Sequence, residues 1–300
     1  MKITILGSAA GGGFPQWNCG CPGCREVRSG SGKAIARTQD SVAVCDGEDV
    51  HLLNASPDIL SQIRDHEILH PRRPRHSPIR SIVLTNGDLD HVLGLFSLRE
   101  SYPLVIYATD QVRRGLTQNA IFRTLERFPE QVTWRRLELG KEMPLAGKDG
   151  ESRLSIRAFP VPGKRPVHLM TAMEASPEDS IGVVIRDGDR SLAYVSSAGG
   201  DGGHTGEMAR ATTTLFDGTF WTSDELIRLG LGTSRAEDMA HWPISGDGGS
   251  LARLSDRLPG RKIFTHVNNT NPMLISGSQE RRDVELAGWE IAFDGMTLSP

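Results

Sequence analysis

The chain has 300 residues, of which 38% are hydrophobic and 24% are charged, and its formal net charge at pH 7 is −3. This composition is ordinary for a globular protein and excludes a disordered chain, a collagen-like fibre and a coiled coil. Nothing in the charge favours nucleic acid or an anionic membrane surface as a partner. No apolar run approaches the roughly 20 residues of a membrane-spanning helix. Residues 1–6 also lack the apolar stretch of a signal peptide, so we expect a cytoplasmic protein.

The hydrophobic pattern predicts strands and helices in both halves of the chain. In the first half, strands are predicted at 3–6, 41–45, 51–54, 82–84 and 104–108, and helices at 58–68, 92–101 and 111–127. In the second half, strands are predicted at 132–139, 153–161, 180–186, 191–196 and 263–266, helices at 204–211, 223–229, 249–257 and 279–286, and a closing pair of strands at 289–299. Since no linker divides the chain, we expect one α/β domain over 1–300, with two sheets covered by helices.

Two irregular segments resemble anion-binding sequences but are better interpreted as connections. Residues 7–13 are rich in glycine, yet they lack the spacing and the lysine of nucleotide-binding loops, which favours a tight loop at a strand end. Residues 70–78 combine basic side chains with prolines, which block helix and sheet hydrogen bonding. We interpret this second segment as a solvated connector.

Three of the four cysteines lie close together in the sequence. Cys19, Cys21 and Cys24 form the pattern C-x-C-x2-C, with glycine and proline between them. Three thiolates at this spacing suit a tetrahedral Zn²⁺ ion whose fourth ligand comes from elsewhere, so we predict structural zinc in the loop near 18–24. Free thiols and a redox pair are the alternatives; the redox pair is disfavoured because we expect no C-x-x-C at a helix start. We interpret Cys45 as a side chain packed in the core.

An acidic loop that contains a histidine follows the buried strand 82–84. Residues 84–91 (LTNGDLDH) place Asp88, Asp90 and His91 before a predicted helix. Loops at the carboxyl ends of strands in α/β folds are where functional sites collect. The structural alternative is an aspartate that caps the helix, with His91 at the first helical position.

The same loop resembles the metallo-β-lactamase superfamily motif H-x-H-x-D-H. Asp90 and His91 match its last two positions, whereas Asn86 and Asp88 replace the two leading histidines. Residues 262–266 resemble the strand that brings the superfamily's last histidine ligand, here His266. This resemblance implies an α/β fold of four layers, the metallo-β-lactamase-like αββα sandwich.

A narrower resemblance covers nearly the whole chain. Six segments are similar to the pyrroloquinoline quinone (PQQ) biosynthesis protein B family, namely 18–24 (NCGCPGC), 54–58 (NASPD), 84–91 (LTNGDLDH), 216–219 (FDGT), 239–246 (MAHWPISG) and 266–272 (HVNNTNP). The resemblance implies a role in the synthesis of the PQQ cofactor. It also implies an iron-dependent hydroxylase that uses O₂ on the tyrosine ring of a cross-linked Glu-Tyr diamino acid.

The departures from the superfamily pattern argue against hydrolysis by two zinc ions. Asn86, Asp88 and Gly163 stand where the first zinc needs histidines, and residues 196–199 (SSAG) replace the bridging aspartate. A hydroxide held between two zincs is therefore not expected.

The second metal site of the superfamily is retained. Asp90, His91 and His266 supply one carboxylate and two imidazoles, the ligand set of non-haem Fe(II) oxygenases. We therefore predict active-site Fe(II) with O₂ as co-substrate.

The resemblance also suggests residues that serve the substrate. Asp217 is expected to orient His241, which would move a proton at the substrate oxygen; a metal ligand and a structural hydrogen bond are the alternatives for Asp217. Amides and a carboxylate suit a substrate that carries both carboxylates and amines. The expected substrate-binding residues are Asn86, Asp88, Asn268, Asn269 and Asn271.

Two other functions stay open on the sequence. A non-catalytic carrier for PQQ or a late intermediate would explain the missing metal ligands. Hydrolysis of a phosphodiester or a lactone is the least favoured. A small molecule and O₂ are the expected partners, without nucleic acid or membrane, and a homodimer is a candidate assembly.

Overall fold

The computed structural model describes residues 1–100, 102–148, 150–169 and 174–300. The strands are β1 (Lys2–Gly7), β2 (Ser41–Asp46), β3 (Asp49–Leu53), β4 (Ile79–Val83), β5 (Leu104–Ala108), β6 (Val132–Arg136), β7 (Glu142–Gly147), β8 (Gly150–Pro160), β9 (Ile181–Asp187), β10 (Arg190–Val195), β11 (Thr213–Asp217), β12 (Arg261–Thr265), β13 (Trp289–Ile291) and β14 (Thr297–Leu298). The α-helices are α1 (Pro22–Ser29), α2 (Ile59–Asp65), α3 (Leu89–Val92), α4 (Asp110–Thr117), α5 (Thr205–Met208), α6 (Glu225–Arg228), α7 (Ser250–Leu254) and α8 (Gln279–Leu286). Short 3-10 helices cover Glu67–Leu69, Leu93–Leu98, Ala120–Glu126, Val167–Leu169, Glu237–Met239 and Pro272–Leu274.

The strands form two seven-stranded sheets. The first has the order β14-β1-β2-β3-β4-β5-β6, and the second has the order β13-β12-β11-β10-β9-β8-β7. The inward faces of both sheets share one apolar cluster, to which Ile3 and Val83 contribute from the first sheet and Ile156 and Ile263 from the second. Helices cover the two outer faces, where Leu116 of α4 packs on the first sheet and Val284 of α8 on the second. The predicted four-layer αββα sandwich is confirmed.

Burial on both faces explains why the strands form here. Successive side chains of a strand point to opposite faces, so strands with an apolar residue at every position are buried on both sides. β1 and β10 bury nearly all of their residues in this way. Parallel pairing of β10 with β11 and of β11 with β12 then brings three carboxyl ends to the same edge of the second sheet.

Most predicted strands are confirmed within a few residues, and α8 begins and ends where the pattern indicates. The closing strands are not a pair, because β13 joins β12 in one sheet and β14 joins β1 in the other. Among the α-helices and strands, three have no predicted range: α1, which begins at a proline, β7 and β11. The segment 70–78 is irregular, as expected of a connector.

Two predicted helices are interrupted. The helix predicted at 92–101 begins earlier, at Leu89, and continues only as a 3-10 helix to Leu98; residue 101 lies outside the described residues. The amide of Gly94 donates to the carbonyl of Ala55, at 2.9 Å, instead of to its own helix. The helix predicted at 111–127 ends at Thr117 as an α-helix and resumes as the 3-10 helix Ala120–Glu126. Among the described residues, no helix is long and apolar enough to cross a membrane.

Candidate metal centre and active site

The candidate site lies where loops from both sheets meet. Asp217 is the last residue of β11, and His266 directly follows the neighbouring strand β12. From the first sheet, the loop after β4 leads into α3, whose single turn carries Asp90 and His91. Residues separated by more than 170 positions are thus brought together at the carboxyl ends of strands, the usual place for a site in this class of fold.

Asp90, His91 and His266 form the predicted cluster. One possible ligand atom from each lies within 4.8 Å of the others. His266 Nε2 is 3.1 Å from Asp90 Oδ2, and His91 Nε2 is 3.8 Å from the same oxygen. Both histidines are buried. The sequence therefore predicted the assembly of these three side chains correctly.

The orientation of both imidazoles fits a bound metal ion. His91 Nδ1 lies 2.7 Å from Asn86 Oδ1 and His266 Nδ1 lies 2.9 Å from Thr219 Oγ1, so each Nδ1 has a partner outside the cluster. His91 Nε2 is buried, and among the described residues it has no hydrogen-bond partner. A metal ion would satisfy this atom, and an outer partner on the other ring nitrogen is how metal-binding histidines are usually held.

The charges of the cluster favour a cation. Burial alone raises the pKa of Asp90, but the charge of His91 and the hydrogen bond from His266 hold it well below its usual range. Burial alone lowers the pKa of His266, but the hydrogen bond and charge of Asp90 raise it to about 9. Burial lowers the pKa of His91, although the neighbouring Asp90 opposes this shift. A metal ion would replace the proton on His266 and keep the carboxylate neutralised.

Asp217 and His241 form a second pair beside the metal cluster. His241 Nδ1 lies 2.8 Å from Asp217 Oδ2, which also accepts from the amide of Ala198 at 2.9 Å. Asp217 is fully buried, whereas the His241 side chain is 13% exposed. The rings of His241 and His266 stack with centroids 5.5 Å apart. The expected pairing is therefore present, and His241 directs its second nitrogen away from Asp217.

Asp217 also offers an alternative metal position. Asp217, His241 and His266 each provide an atom within 4.8 Å of the others. This set shares His266 with the first cluster. Burial raises the pKa of Asp217, and the His241 charge and hydrogen bond more than offset this, so the carboxylate stays ionised.

Three residues at the site were not singled out from the sequence. Thr219 links the Asp217–His241 pair to the metal cluster. Its Oγ1 lies 2.6 Å from Asp217 Oδ1 and 2.9 Å from His266 Nδ1. Asp40 is buried behind His266, where Thr265 Oγ1 donates to it at 2.5 Å. Gly11 faces Asp90 so closely that a β-carbon there would lie 3.2 Å from Oδ2. Thr219 lies in the FDGT segment and Gly11 in the glycine-rich loop, so both carried a signal, whereas Asp40 carried none.

The expected substrate-binding amides have different surroundings. Asn86 is buried and holds His91, as described above. Asn268 donates to Thr270 Oγ1 at 2.5 Å. Asn271 donates to the carbonyl of Gly218 at 3.0 Å and accepts from the amide of Met273 at 3.1 Å, so it caps the 3-10 helix Pro272–Leu274. Its amide is used within the protein, and the geometry gives Asn271 a structural role in place of the expected one.

Asn269 belongs to the cysteine cluster. Its Nδ2 lies 3.4 Å from Cys24 Sγ and 3.6 Å from Cys21 Sγ, and its carbonyl accepts from Cys21 at 3.3 Å. One Sγ atom from each of Cys19, Cys21 and Cys24 lies within 4.8 Å of the others, which fits a zinc ion. Asn269 is buried against the thiols, so its expected contact with substrate is replaced by a contact with the cysteine cluster.

The cysteine motif lies at a helix start, contrary to our expectation. Cys21 is the N-cap of α1, and Cys24 lies in its first turn. The position of the motif therefore no longer argues against a redox pair. Burial nevertheless raises the pKa of Cys21 to about 12, so without a metal this thiol stays protonated and unreactive.

Comparisons with known proteins show the family of the chain. Residues 51–267 match the model of the beta-lactamase superfamily domain. A coenzyme PQQ synthesis protein B from Methylobacterium radiotolerans is 45% identical over 308 residues and covers 100% of both chains. This chain belongs to the coenzyme PQQ synthesis protein B family. The crystal structure of the Zn²⁺-bound family member from Methylobacterium extorquens is 42% identical, with a TM-score of 0.93 and 100% of both chains covered.

More distant structures share the fold of the family. A diphosphatase of the PhnP family is 21% identical, with a TM-score of 0.67, and covers 100% of this chain and 97% of its own. The positions at which this chain departs from two-metal hydrolases are filled by other contacts. A β-carbon at Gly163 would lie 2.3 Å from the β-carbon of Ser180, so no histidine fits there without a shift of the chain. Ser196 Oγ instead lies 3.3 Å from Thr85 Oγ1.

Proposed function

We propose that this chain acts in PQQ synthesis as an Fe(II)- and O₂-dependent hydroxylase of the tyrosine ring of a cross-linked Glu-Tyr diamino acid. The observation that carries the proposal is the retained set of Asp90, His91 and His266 beside a first site that lacks its ligands. One carboxylate and two imidazoles leave positions open for other ligands, a pattern typical of non-haem iron oxygenases. The names of the relatives at 42–45% identity support the place in PQQ synthesis.

The reaction inserts one oxygen atom into an aromatic C–H bond. Its balance is Ar–H + O₂ + 2 electrons + 2 protons giving Ar–OH + H₂O, and an external two-electron reductant supplies the electrons. Bound Fe(II) supplies the one-electron chemistry that O₂ requires. The side chains around it hold their positions through Asn86 and Thr219, which fix the two imidazoles.

His241 handles the proton in this proposal. Its Nδ1 is held by Asp217, which leaves Nε2 to accept or donate a proton at the substrate oxygen. The buried carboxylate stabilises the imidazolium whenever the ring takes up a proton, in the way that a carboxylate supports a catalytic histidine elsewhere. Asp217 is therefore a positioning residue, and His241 is the group that touches substrate.

The decisive experiment compares metals under controlled oxygen. Protein stripped of metal is loaded anaerobically with Fe(II) or with Zn²⁺, supplied with the Glu-Tyr diamino acid and a reductant, and then exposed to O₂ or kept under argon. We expect hydroxylated product only with iron and O₂ together. Mass spectrometry with ¹⁸O₂ should show one labelled oxygen atom in the product.

The other outcomes correspond to the alternative functions. Tight binding of PQQ or the diamino acid, without turnover under any condition, would replace the hydroxylase by a carrier. Hydrolytic activity that needs zinc and no O₂ would restore the superfamily's usual chemistry.

A further inference from the structure

A large cleft is lined in part by two residues that directly precede the metal cluster in the chain. Its volume is about 1060 Å³, and its walls come from the ends of two loops, 88–89 and 163–168, together with residues 175–179. Asp88 and Leu89 directly precede the cluster residues Asp90 and His91 in the chain. The amide of Asp88 donates to Asn86 Oδ1 at 3.0 Å, and the same oxygen lies 2.7 Å from His91 Nδ1, so Asp88 is tied to the candidate site while it also lines the cleft.

Two of the charges that line the cleft neutralise each other. Arg165 Nε lies 3.1 Å from Asp179 Oδ1, and its Nη2 lies 3.2 Å from Oδ2. The amide of Ser176 also donates to Asp179, at 2.7 Å. This bidentate pair holds the far wall of the cleft together and presents little net charge to a ligand.

One anion and one cation remain among the described lining residues. The Asp88 carboxylate forms no hydrogen bond with any residue that the structure describes, and Asn86 bonds only to its backbone amide. Lys164 is exposed, and its Nζ is 3.5 Å from the carbonyl of Asp238, a long contact that a ligand could replace. The cleft thus carries a negative group at its metal end and a positive group on its wall.

Exposed apolar side chains line the same cleft as these charges. Leu89 is 50% exposed and Val167 is 82% exposed, although both line the cleft. Exposed apolar side chains on a concave surface are typical of a ligand site. A flat ring would cover them, while its polar substituents would meet the charged groups.

We propose that this cleft binds the α-amino acid group of the substrate, with the ammonium on Asp88 and the carboxylate on Lys164, and that these two residues determine specificity. The inference rests on the proposed function only for the identity of the physiological ligand. The arrangement of one anion, one cation and apolar surface matches an aromatic amino acid as a zwitterion. It disfavours an amine or an acid that carries only one of the two charges.

The test uses three ligands that share a phenol ring: L-tyrosine, tyramine, which lacks the carboxylate, and 3-(4-hydroxyphenyl)propionate, which lacks the ammonium. Binding to the full-length zinc-loaded protein is measured by ligand-observed NMR titration under argon, so no turnover is needed. We expect Lys164→Ala to weaken L-tyrosine and the propionate by about tenfold and to leave tyramine unchanged. Asp88→Asn should weaken L-tyrosine and tyramine and leave the propionate unchanged.

Matched variants separate recognition from folding. Lys164→Arg should restore most of the affinity, and Lys148→Ala, an exposed lysine outside the cleft, should leave all three affinities unchanged. Equal losses for all three ligands in Lys164→Ala, or wild-type protein that does not bind L-tyrosine, would overturn the inference. If the charge pattern holds while iron-loaded wild type gives no hydroxylation, the proposed function fails and the cleft assignment stands.

Discussion

The cysteine cluster and the active-site cluster are two metal-ligand sets with opposite origins. Cys19, Cys21 and Cys24 come from six consecutive residues, whereas Asp90 and His266 come from different sheets. The first is a set of buried thiols next to an amide. The second mixes a carboxylate with imidazoles, and the residues directly before it in the chain, Asp88 and Leu89, line a cleft. A closed thiol site suits a structural ion, and an open site of nitrogen and oxygen ligands suits chemistry.

The two clusters are nevertheless connected, because the segment 266–271 contributes a residue to each. His266 has a positive φ of 53°, an uncommon conformation for a side chain with a β-carbon. Asn269, three residues later, contacts Cys21 and Cys24. A zinc ion that fixes the cysteines therefore also helps to hold the backbone that presents His266. The predicted structural site would thus support the candidate active site through one short segment.

Removing a ligand of the active site should have the largest effect. Asp90→Ala or His91→Ala takes away one of three ligands, so we expect loss of bound iron and hydroxylation below detection. Metal analysis and the ¹⁸O₂ assay measure the two losses. His70→Ala, at an exposed histidine, serves as the matched control and should change neither. Full activity in either ligand variant would disprove the site assignment.

His241 should affect turnover without affecting metal. His241→Ala removes the proposed proton carrier but leaves Asp90, His91 and His266, so kcat should fall by about 100-fold while iron content stays the same. Added imidazole distinguishes this role from a structural one, because it should restore part of kcat in His241→Ala only if the variant lacks a proton carrier. Unchanged kcat with iron bound would show that His241 does not move the proton.

The partner of His91 should tune metal affinity. Asn86→Ala removes the group that holds His91 Nδ1, and the loss of such an outer partner typically weakens metal binding by about 10–100-fold. Asn86→Asp keeps an acceptor oxygen and should retain most of the affinity. Competition with a chelator measures the Fe(II) dissociation constant, and equal affinity in Asn86→Ala would show that the imidazole needs no support.

A cysteine substitution tests the connection between the clusters. Cys24→Ser should release zinc and lower the free energy of unfolding by about 3–5 kcal/mol, the upper range for single substitutions. Its effect on iron affinity should be smaller, less than about tenfold, because it acts only through residues 266–271. Cys45→Ser, at a half-buried cysteine outside the cluster, is the control. If Cys24→Ser loses zinc and keeps the wild-type iron affinity, the two sites are independent.

The clustering of the candidate metal ligands could be predicted from the sequence, because motifs bring such residues together. Asp90, His91 and the cysteines were found through local spacing, and His266 through its likeness to a superfamily strand. Asn269 and Asn271 were misplaced for a physical reason: successive residues of an irregular segment point in different directions, and no periodic pattern indicates which one faces the site. Asp40 could not be found at all, since a buried acid behind a ligand has no sequence signature.

Prediction of the fold also failed where the structure depends on residues distant in the chain. Apolar strands were predicted well because burial on both faces leaves a continuous hydrophobic run. The helix predicted at 92–101 does not continue as an α-helix, because the amide of Gly94 donates to Ala55, a residue distant in the chain. The pairing of the closing strands also depends on partners far away, β12 for one and β1 for the other.

The smallest expected effect concerns Glu225, a buried carboxyl that contacts Thr270 in the segment 266–271. Thr270 donates a hydrogen bond to the buried carboxylate of Glu225, which also accepts from the amide of Trp221 at 2.6 Å. Burial raises the pKa of Glu225 to about 7, against 4.5 for an unperturbed group. Since the folded protein holds this proton more tightly than the unfolded chain, stability from Glu225 is fully present below pH 4.5 and is lost as the pH rises to about 7.

Replacement of this carboxyl isolates its contribution. Glu225→Gln keeps the shape and cannot ionise, so the difference in melting temperature between variant and wild type should grow in favour of the variant from pH 5 to pH 8. Glu280 lines the same pocket as Glu225 and provides the control. Glu280→Gln should show no such trend. A constant difference across this range would mean that Glu225 is ionised throughout, and that residues 266–271 are held by a permanent charge.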